Sequence, residues 1–563
     1  MTKFRLISVL ALGFAAKAWA IPYAPHVPGE LIVKLKVDQN KNVQRAFLSY
    51  GAEIKQRLRS KLVLVRVSGE KSLTGMISTL SQNKLIDYAE PNFIYSVVQP
   101  AAEQTLDDLL APLKYNDSAA YTPNDPKYAE LWGMHNTGSN DPSGAQGVAG
   151  ADISAQQAWE ITRGNRSVKI AVIDTGIDYT HPDLAENIWV NEAEKNGKAG
   201  VDDDGNGYVD DIHGYDFAND DADPIDGHSH GTHCAGTIGA VHNNAQGVAG
   251  VMAEVSLVAV KFLSDAGSGT TANAIRSIDY ATSLNVDIMS NSWGGGGRSQ
   301  ALFEAIQRAS DKGIIFAAAA GNSSTNNDSR PHYPSNYATA NMVSVAAHAS
   351  NDELASFSCF GRNTVHIAAP GHKITSCIKN GGYGTYSGTS MATPHVAGAV
   401  GLLLAHTGRM DHAIFKERLL KTSVPVRSYR GKMQANGRLN VYNLLTDTRP
   451  VRNEPNPEDW ETFALDEAFE SPHPYPANSD FTKTITIPGA KFMRVIIRKY
   501  EFENGYDFLE ISGADGVTLE KVSGVGENYT TDYSEGETMN ITFLSDRSVN
   551  KWGFAVEKIQ VIY

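Results

Sequence analysis

The chain has 563 residues, too many for one ordinary domain, and 63 acidic against 49 basic side chains leave it a net charge of −14. That acidic surplus argues against a nucleic-acid partner and fits an exported protein whose acidic loops hold cations. Beyond the N-terminal leader no stretch of about twenty apolar residues offers a membrane span, and the three cysteines leave an odd one.

In chain order, Lys3 and Arg5 precede an apolar run from Leu6 to Ala16, and Ala18-Trp19-Ala20 meets the small-x-small cleavage rule. Residues 1–20 therefore read as a signal peptide, and the product as secreted, extracellular or periplasmic. Within 21–98, residues 30–36 and 62–67 read as strands and 71–82 as an amphipathic helix, which makes a small α+β lobe. Residues 99–122, rich in alanine and aspartate with two prolines, read as an exposed linker, and a cut between Pro100 and Thr122 is expected.

The segment 123–446 carries the chemistry. The apolar run Val168 to Ile173 reads as a buried parallel strand whose C-terminal edge presents Asp174, the edge where open α/β sheets gather their functional groups. In the loop 201–210, Asp202, Asp204, Asn206 and Asp210 stand at the spacing of an EF-hand, with Tyr208 placed to give its carbonyl, so calcium is the expected cofactor. His213 replaces the glutamate that should close that loop, and Asp211 or Asp216 is a candidate substitute. Gly227-His-Ser-His230-Gly-Thr-His-Cys-Ala-Gly236 opens a helix beside His230, and an apolar strand ends in Gly321-Asn322. In Gly388-Thr-Ser-Met-Ala-Thr-Pro-His-Val-Ala-Gly398, Ser390 stands at a glycine turn opening an apolar helix, whose first N–H groups face any developing anion. A serine hydroxyl needs an imidazole to take its proton, and the imidazole needs a carboxylate to fix its tautomer. Taken singly, Asp174 would read as a turn residue, His230 as a satisfied buried histidine and Ser390 as a helix cap.

Residues 447–462 are rich in proline and acidic groups, a linker composition. From 463 to 563, short alternating runs such as Thr484–Ile487, Met493–Ile497, Phe508–Ile511, Met539–Leu544 and Gly553–Glu557 indicate an all-β sandwich.

The order Asp, His, Ser with these flanking residues resembles the subtilisin-like serine endopeptidases over roughly residues 120–446. The resemblance implies a mostly parallel α/β sheet with helices on both faces. It makes Ser390 the nucleophile, His230 the base, Asp174 its orienting acid and Asn322 an oxyanion donor, with His228 and His233 as bystanders. It also implies that Gly267, Ser268 and Gly269 pair with an extended protein or peptide substrate, opposite a wall of Ser292, Trp293 and Gly294 with Trp293 at the pocket mouth. Val27-Pro-Gly-Glu30 and Tyr88-Ala-Glu-Pro-Asn92 resemble the ends of the inhibitory propeptides of that family, so the enzyme's own propeptide is an expected partner. Asp183 matches a separate calcium ligand of the family. Tyr506 to Ile511, Phe543 to Asp546 and Trp552 to Phe554 look like a CUB domain without its cysteines, where Asp507 and Asp546 with Glu501 or Glu503 would hold calcium.

Cys359 and Cys377 are expected to pair in an oxidising compartment, leaving Cys234 as an inert buried thiol, and His395 is expected to pack. Two other functions fit parts of the chain: a secreted binding or adhesion protein acting through the C-terminal sandwich, and a dedicated processing protease with one partner substrate.

Overall fold

The computed structural model describes residues 24–39, 41–67, 73–98, 121–451, 455, 457–516 and 518–563. The signal peptide expected at 1–20 and residues 99–120 of the expected linker lie outside the described residues.

Alternation along the strand Gly164–Asp174 explains the central architecture. Ile170 and Val172 point into one apolar cluster, Ala171 and Ile173 into another. A strand buried on both faces needs a layer on each side. One face carries the helices His230–Gly239 and Thr389–Thr407, the other Thr271–Ser283 and Gln300–Asp311. Helix Thr389–Thr407 is buried all the way round from Thr389 to Leu404, so its sequence shows no polar face.

The nine-stranded sheet runs Val424–Pro425, Gly437–Arg438, Ile367–Pro370, Met342–His348, Ile315–Ala319, Ile288–Asn291, Gly164–Asp174, Glu254–Lys261, Gly214–Asp216. Every pairing is parallel except that between the two-residue strands Val424–Pro425, at the edge, and Gly437–Arg438. The expected parallel sheet with helices on both faces is therefore present.

The N-terminal lobe has four antiparallel strands, in the order Ile86–Val97, His26–Leu35, Leu62–Val67, Ala52–Arg59, with helices Lys41–Ser49 and Leu73–Ser81. Its edge strand Ile86–Val97 pairs with Ser268–Thr270 and with Trp293–Gly294. The lobe also caps helices of the parallel-sheet domain. Glu90 accepts from Ser299 Oγ and from the N–H groups of Gln300 and Ala301, and Asn92 accepts from the Ala272 N–H.

The tail is a sandwich of a five-stranded and a four-stranded antiparallel sheet around a core that includes Tyr475, Phe502, Phe543 and Phe554. Its first strand, Glu461–Glu470, begins inside the expected linker, because pairing with Gly553–Ile562 orders that acidic stretch. The sandwich meets the parallel-sheet domain through Arg427–Asp515 at 2.8 Å and Arg430–Glu535 at 2.9 Å, with the Arg430 guanidinium 3.9 Å from the Tyr533 ring centroid. Among the described residues no helix is long and apolar enough to cross a membrane.

The expected Cys359–Cys377 disulfide is absent: all three cysteines are free and buried. Cys377 lies in the hairpin Ile374–Ile378 with Gly382–Tyr386, packed on helix His230–Gly239, whereas the Cys359 sulfur sits beside the hydroxyls of Ser323 and Thr325. The two thiols belong to different clusters, which closeness in sequence did not reveal.

Candidate active site

Asp174 ends its strand fully buried, and its Oδ1 takes a hydrogen bond from the Nδ1 of His230 at 2.7 Å. The same oxygen accepts the Thr175 N–H at 2.7 Å. His230 is the first residue of helix His230–Gly239, pressed so close to the acid that a Cβ on Gly231 would stand 2.1 Å from the Gly176 carbonyl. His230 Nε2 is buried without a hydrogen-bond partner.

One residue that sequence reasoning missed holds this corner together. The Asp226 carboxylate accepts from Thr175 Oγ1, from the N–H groups of His228, Ser229 and Thr232, and from Thr232 Oγ1, at 2.7 to 2.9 Å. It clamps the residue after Asp174 to the turn that begins the histidine helix. Ser229, immediately before His230, has φ 99°, a conformation costing about 1–3 kcal/mol that persists only where the surroundings over-determine it. An aspartate just ahead of a predicted helix start was the available signal.

Ser390 opens helix Thr389–Thr407 on the other side of the cleft. Its hydroxyl lies 3.0 Å from both the Val98 and the Ser292 carbonyl oxygens, so its single proton serves one at a time. The Cys234 sulfur, within 4.8 Å of polar atoms of Asp174 and His230, donates to the Ser390 carbonyl at 3.5 Å and so links the two halves. Burial raises the Cys234 pKa well above the usual thiol value, which keeps it protonated, as expected of an inert thiol.

Asn322 is oriented by its neighbours. Its Oδ1 accepts from the Thr389 N–H and Oγ1 at 2.9 and 2.8 Å, which turns Nδ2 toward the Val98 carbonyl at 3.2 Å. A Cβ on Gly388 would lie 2.9 Å from that Nδ2, so this turn tolerates only glycine without displacing the amide.

All six expected substrate-binding residues meet one occupant, the C-terminal strand of the N-terminal lobe. Ser268 and Gly269 pair with Ser96 and Tyr95, Gly267 O accepts from Val97 N, and Trp293 and Gly294 pair with Val97 and Ser96. Ser292 O accepts from Val98 N at 3.3 Å. Trp293 does not line an open mouth: it is fully buried, edge-on to Tyr95 at 5.3 Å and Phe262 at 4.7 Å. The carbonyl that reaches Ser390 belongs to Val98, ahead of the linker in which composition had placed the cut, because strand pairing and not exposure determines which bond meets the serine.

The bystander histidines stay out of the exchange. His233 Nε2 bonds the Ile374 and Gly384 carbonyls and its ring stacks on Tyr386, with burial lowering its pKa to about 3. His395 Nδ1 bonds the Met391 carbonyl, and burial takes its pKa to about 4. His228 packs 6.2 Å from the His230 ring.

The acidic loop is built differently from its EF-hand spacing. Asp202 spends its oxygens on the N–H groups of Asn206 and Gly207, Asn206 Oδ1 accepts from the Tyr208 N–H, and Asp210 accepts from Gly200 N. The Tyr208 ring packs among Tyr215, Phe217 and Tyr280. Of the five expected ligands only Asp204 joins a carboxylate cluster, with Glu194 and Asp211, their oxygens within 4.8 Å of one another. Glu194 lies outside the loop and was missed. Burial pushes the Asp211 pKa up to about 6, partly offset by hydrogen bonds from Tyr280, Asn206 and Asn191. Glu194 accepts from the N–H groups of Asp203, Asp204 and Asp210, and Asn191 Nδ2 donates to both Asp204 and Asp211, so these carboxylates are hydrogen-bonded like that of Asp202 but, unlike it, converge on one another, as the oxygens around a hard cation do.

Asp216 is occupied within its own turn, by the Ala218 and Asn219 N–H groups. Asp183 accepts from Asn244 Nδ2 and Val248 N, which leaves its second-site role without support. In the sandwich, Asp507 is held by Tyr475 Oη and by the Asp546 N–H, and the Asp546 carboxylate turns to Ser548. Neither of the two His, Cys, Asp or Glu clusters able to hold an ion among the described residues lies in the sandwich.

Known sequences resemble this chain. Residues 165–453 match the model of the subtilase family, and residues 17–92 match the fervidolysin N-terminal prodomain. A thermophilic serine proteinase of Bacillus sp. (strain AK1) is 34% identical over 426 residues, which span 75% of this chain and 88% of that protein. Thermitase of Thermoactinomyces vulgaris is 37% identical over 58% of this chain and 99% of its own length. Subtilisin E of Bacillus subtilis (strain 168) is 38% identical over 57% and 75% respectively.

Proposed function

The chain belongs to the subtilase family and is a subtilisin-like serine protease with an N-terminal prodomain, and from that premise we propose that it is a secreted endopeptidase made as a zymogen and working through Asp174, His230 and Ser390. Ser390 Oγ attacks the peptide carbonyl carbon while His230 Nε2 takes the hydroxyl proton. Asp174 holds the imidazole from Nδ1 and stabilises it once charged. The negative charge on the former carbonyl oxygen is met by Asn322 Nδ2 and the Ser390 N–H, an arrangement that subtilisin itself exemplifies. The imidazolium then returns its proton to the leaving amine, and water repeats the sequence on the acyl-enzyme.

The single observation carrying this reading is the Val98 carbonyl oxygen, seated 3.0 Å from the Ser390 hydroxyl and 3.2 Å from Asn322 Nδ2. Val98 sits as the acyl-side residue of a substrate, so the bond to Gln99 is the one we assign to self-processing. After that cut, the strand Ile86–Val97 stays in the cleft, paired on both edges, and blocks it as a product.

Calcium is assigned to Glu194, Asp204 and Asp211. Bound there, it would neutralise their charge and tie the loop to helix Glu192–Lys195. The CUB-like character of the tail rests on its two-sheet architecture and on the residues quoted above.

The test is expression of the full chain with a leader, beside Ser390→Ala. Wild type should appear outside the cytoplasm, cut after Val98, and cleave casein, while Ser390→Ala should remain joined at Val98–Gln99 and cleave nothing. Equal cleavage by both would overturn the reading.

A further inference from the structure

Helix His412–Thr422 carries one charge at a wall rather than on the open surface. Lys416 is only partly exposed, its Nζ donates to the Thr339 carbonyl at 3.3 Å, and among the described residues no carboxylate pairs with it. The amine lines a cavity of about 350 Å³ where this helix, the loop after Ser335 and the segment ahead of strand Ile367–Pro370 meet. None of the residues lining it belongs to the triad, the oxyanion site or the strands that hold Val98.

Two more donors on the same walls have no acceptor among the described residues. The Ser344 N–H donates to His366 Nδ1 at 2.9 Å, which places the ring proton on Nε2. His366 is 8% exposed and neutral, because burial, and then the Lys416 charge, lower its pKa to about 3. The Thr339 hydroxyl is buried with no hydrogen-bond partner. Buried polar groups are ordinarily satisfied, so an ammonium and two neutral donors from three separate segments around one cavity suit an anionic acceptor. Asp328, near the rim, does not serve, since its oxygens take the Asn363 N–H and Thr364 Oγ1.

We propose that this cavity is a binding site for a small monocarboxylate bearing a short apolar group. One carboxylate oxygen sits on the Lys416 ammonium and the other on His366 Nε2–H, with the apolar group against Ala338, Ala340 and Met342. A carboxylate accepts at both oxygens and donates nothing, which matches walls that offer only donors here. One ammonium beside neutral donors balances one negative charge, which favours a carboxylate over a phosphate dianion. Burial lowers the Lys416 pKa to about 8, so the amine is still mostly charged at pH 7.

The site does not depend on peptide hydrolysis, so full-length Ser390→Ala is the protein to use, and failure of either reading leaves the other standing. At constant ionic strength, ligand-observed NMR titrations compare butyrate and N-acetylalanine with their uncharged amides and with inorganic phosphate. Both carboxylates should bind saturably and at least about tenfold more tightly than their amides, the scale of a hydrogen bond to a charged group. Adding Lys416→Met, which keeps the apolar stem, should weaken carboxylate binding by about tenfold or more. A second measurement needs no change at the site: brief reductive methylation with formaldehyde and peptide mapping should label Lys416, and saturating N-acetylalanine should protect it while exposed Lys312 is labelled as before. Equal binding of acid and amide, binding unmoved by Lys416→Met, or no protection of Lys416 would overturn the proposal. Phosphate binding more tightly than either carboxylate would overturn the ligand class.

Discussion

The cleft and the acidic loop both gather polar side chains, from very different stretches of chain. Asp174, His230, Asn322 and Ser390 come from four segments spread from residue 174 to residue 390, and each is held by groups from another segment. The acidic loop draws on residues 194–211, and most of its oxygens turn back onto its own backbone N–H groups. The difference teaches that a short motif predicts local backbone shape better than it predicts which side chains will face one another. In the cleft the parallel sheet sets the facing, because strands Gly164–Asp174 and Ile315–Ala319 end on the same edge. In the loop, backbone N–H groups compete for the side-chain oxygens and occupy those of Asp202, Asn206 and Asp210.

The comparison can be broken most directly at the cleft. Ser390→Ala should lower kcat on a peptide substrate by about six orders of magnitude, the scale subtilisin itself sets. A loss below tenfold would mean that the distant segments do not act as one unit. Asp226→Ala should leave five donors without their acceptor, and urea unfolding in the Ser390→Ala background should read a loss of about 3 kcal/mol or more. Asp226→Asn, which keeps an acceptor, should lose less. Asn322→Ala should cost about 3 kcal/mol in the transition state, again a magnitude subtilisin itself supplied, seen as a fall in kcat with little change in KM.

The loop is tested by calcium. Chelation should lower Tm, by about 2–4 °C for each kcal/mol lost in a domain of this size. Glu194→Gln should remove most of the chelator's effect while Asp202→Asn leaves it in place. The opposite pattern would restore the EF-hand spacing as the true ligand set. The smallest effect is expected at the sandwich contact. Arg430→Ala removes a pair whose arginine side chain is 9% exposed but whose glutamate is 33% exposed, so calorimetry should show the sandwich uncoupled by only about 1 kcal/mol.

The amino-acid sequence by itself determined the chemical groups and their chain order: the carboxylate at a strand end, the imidazole at a helix start, the serine after a glycine turn and the asparagine after an apolar strand. It also showed the two-sided burial of Val168 to Ile173 and the alternating runs of the tail, because hydrophobic period is written residue by residue. Only the tertiary structure decided that Cys359 and Cys377 lie in separate clusters, that Glu194 joins Asp204 and Asp211, that Asp226 clamps the histidine turn, and that Val98 and not a later residue reaches Ser390. Each of these depends on where non-consecutive strands pack and on how far an edge strand can run before it meets Ser390. Strand register across a gap of some two hundred residues leaves no mark in local spacing.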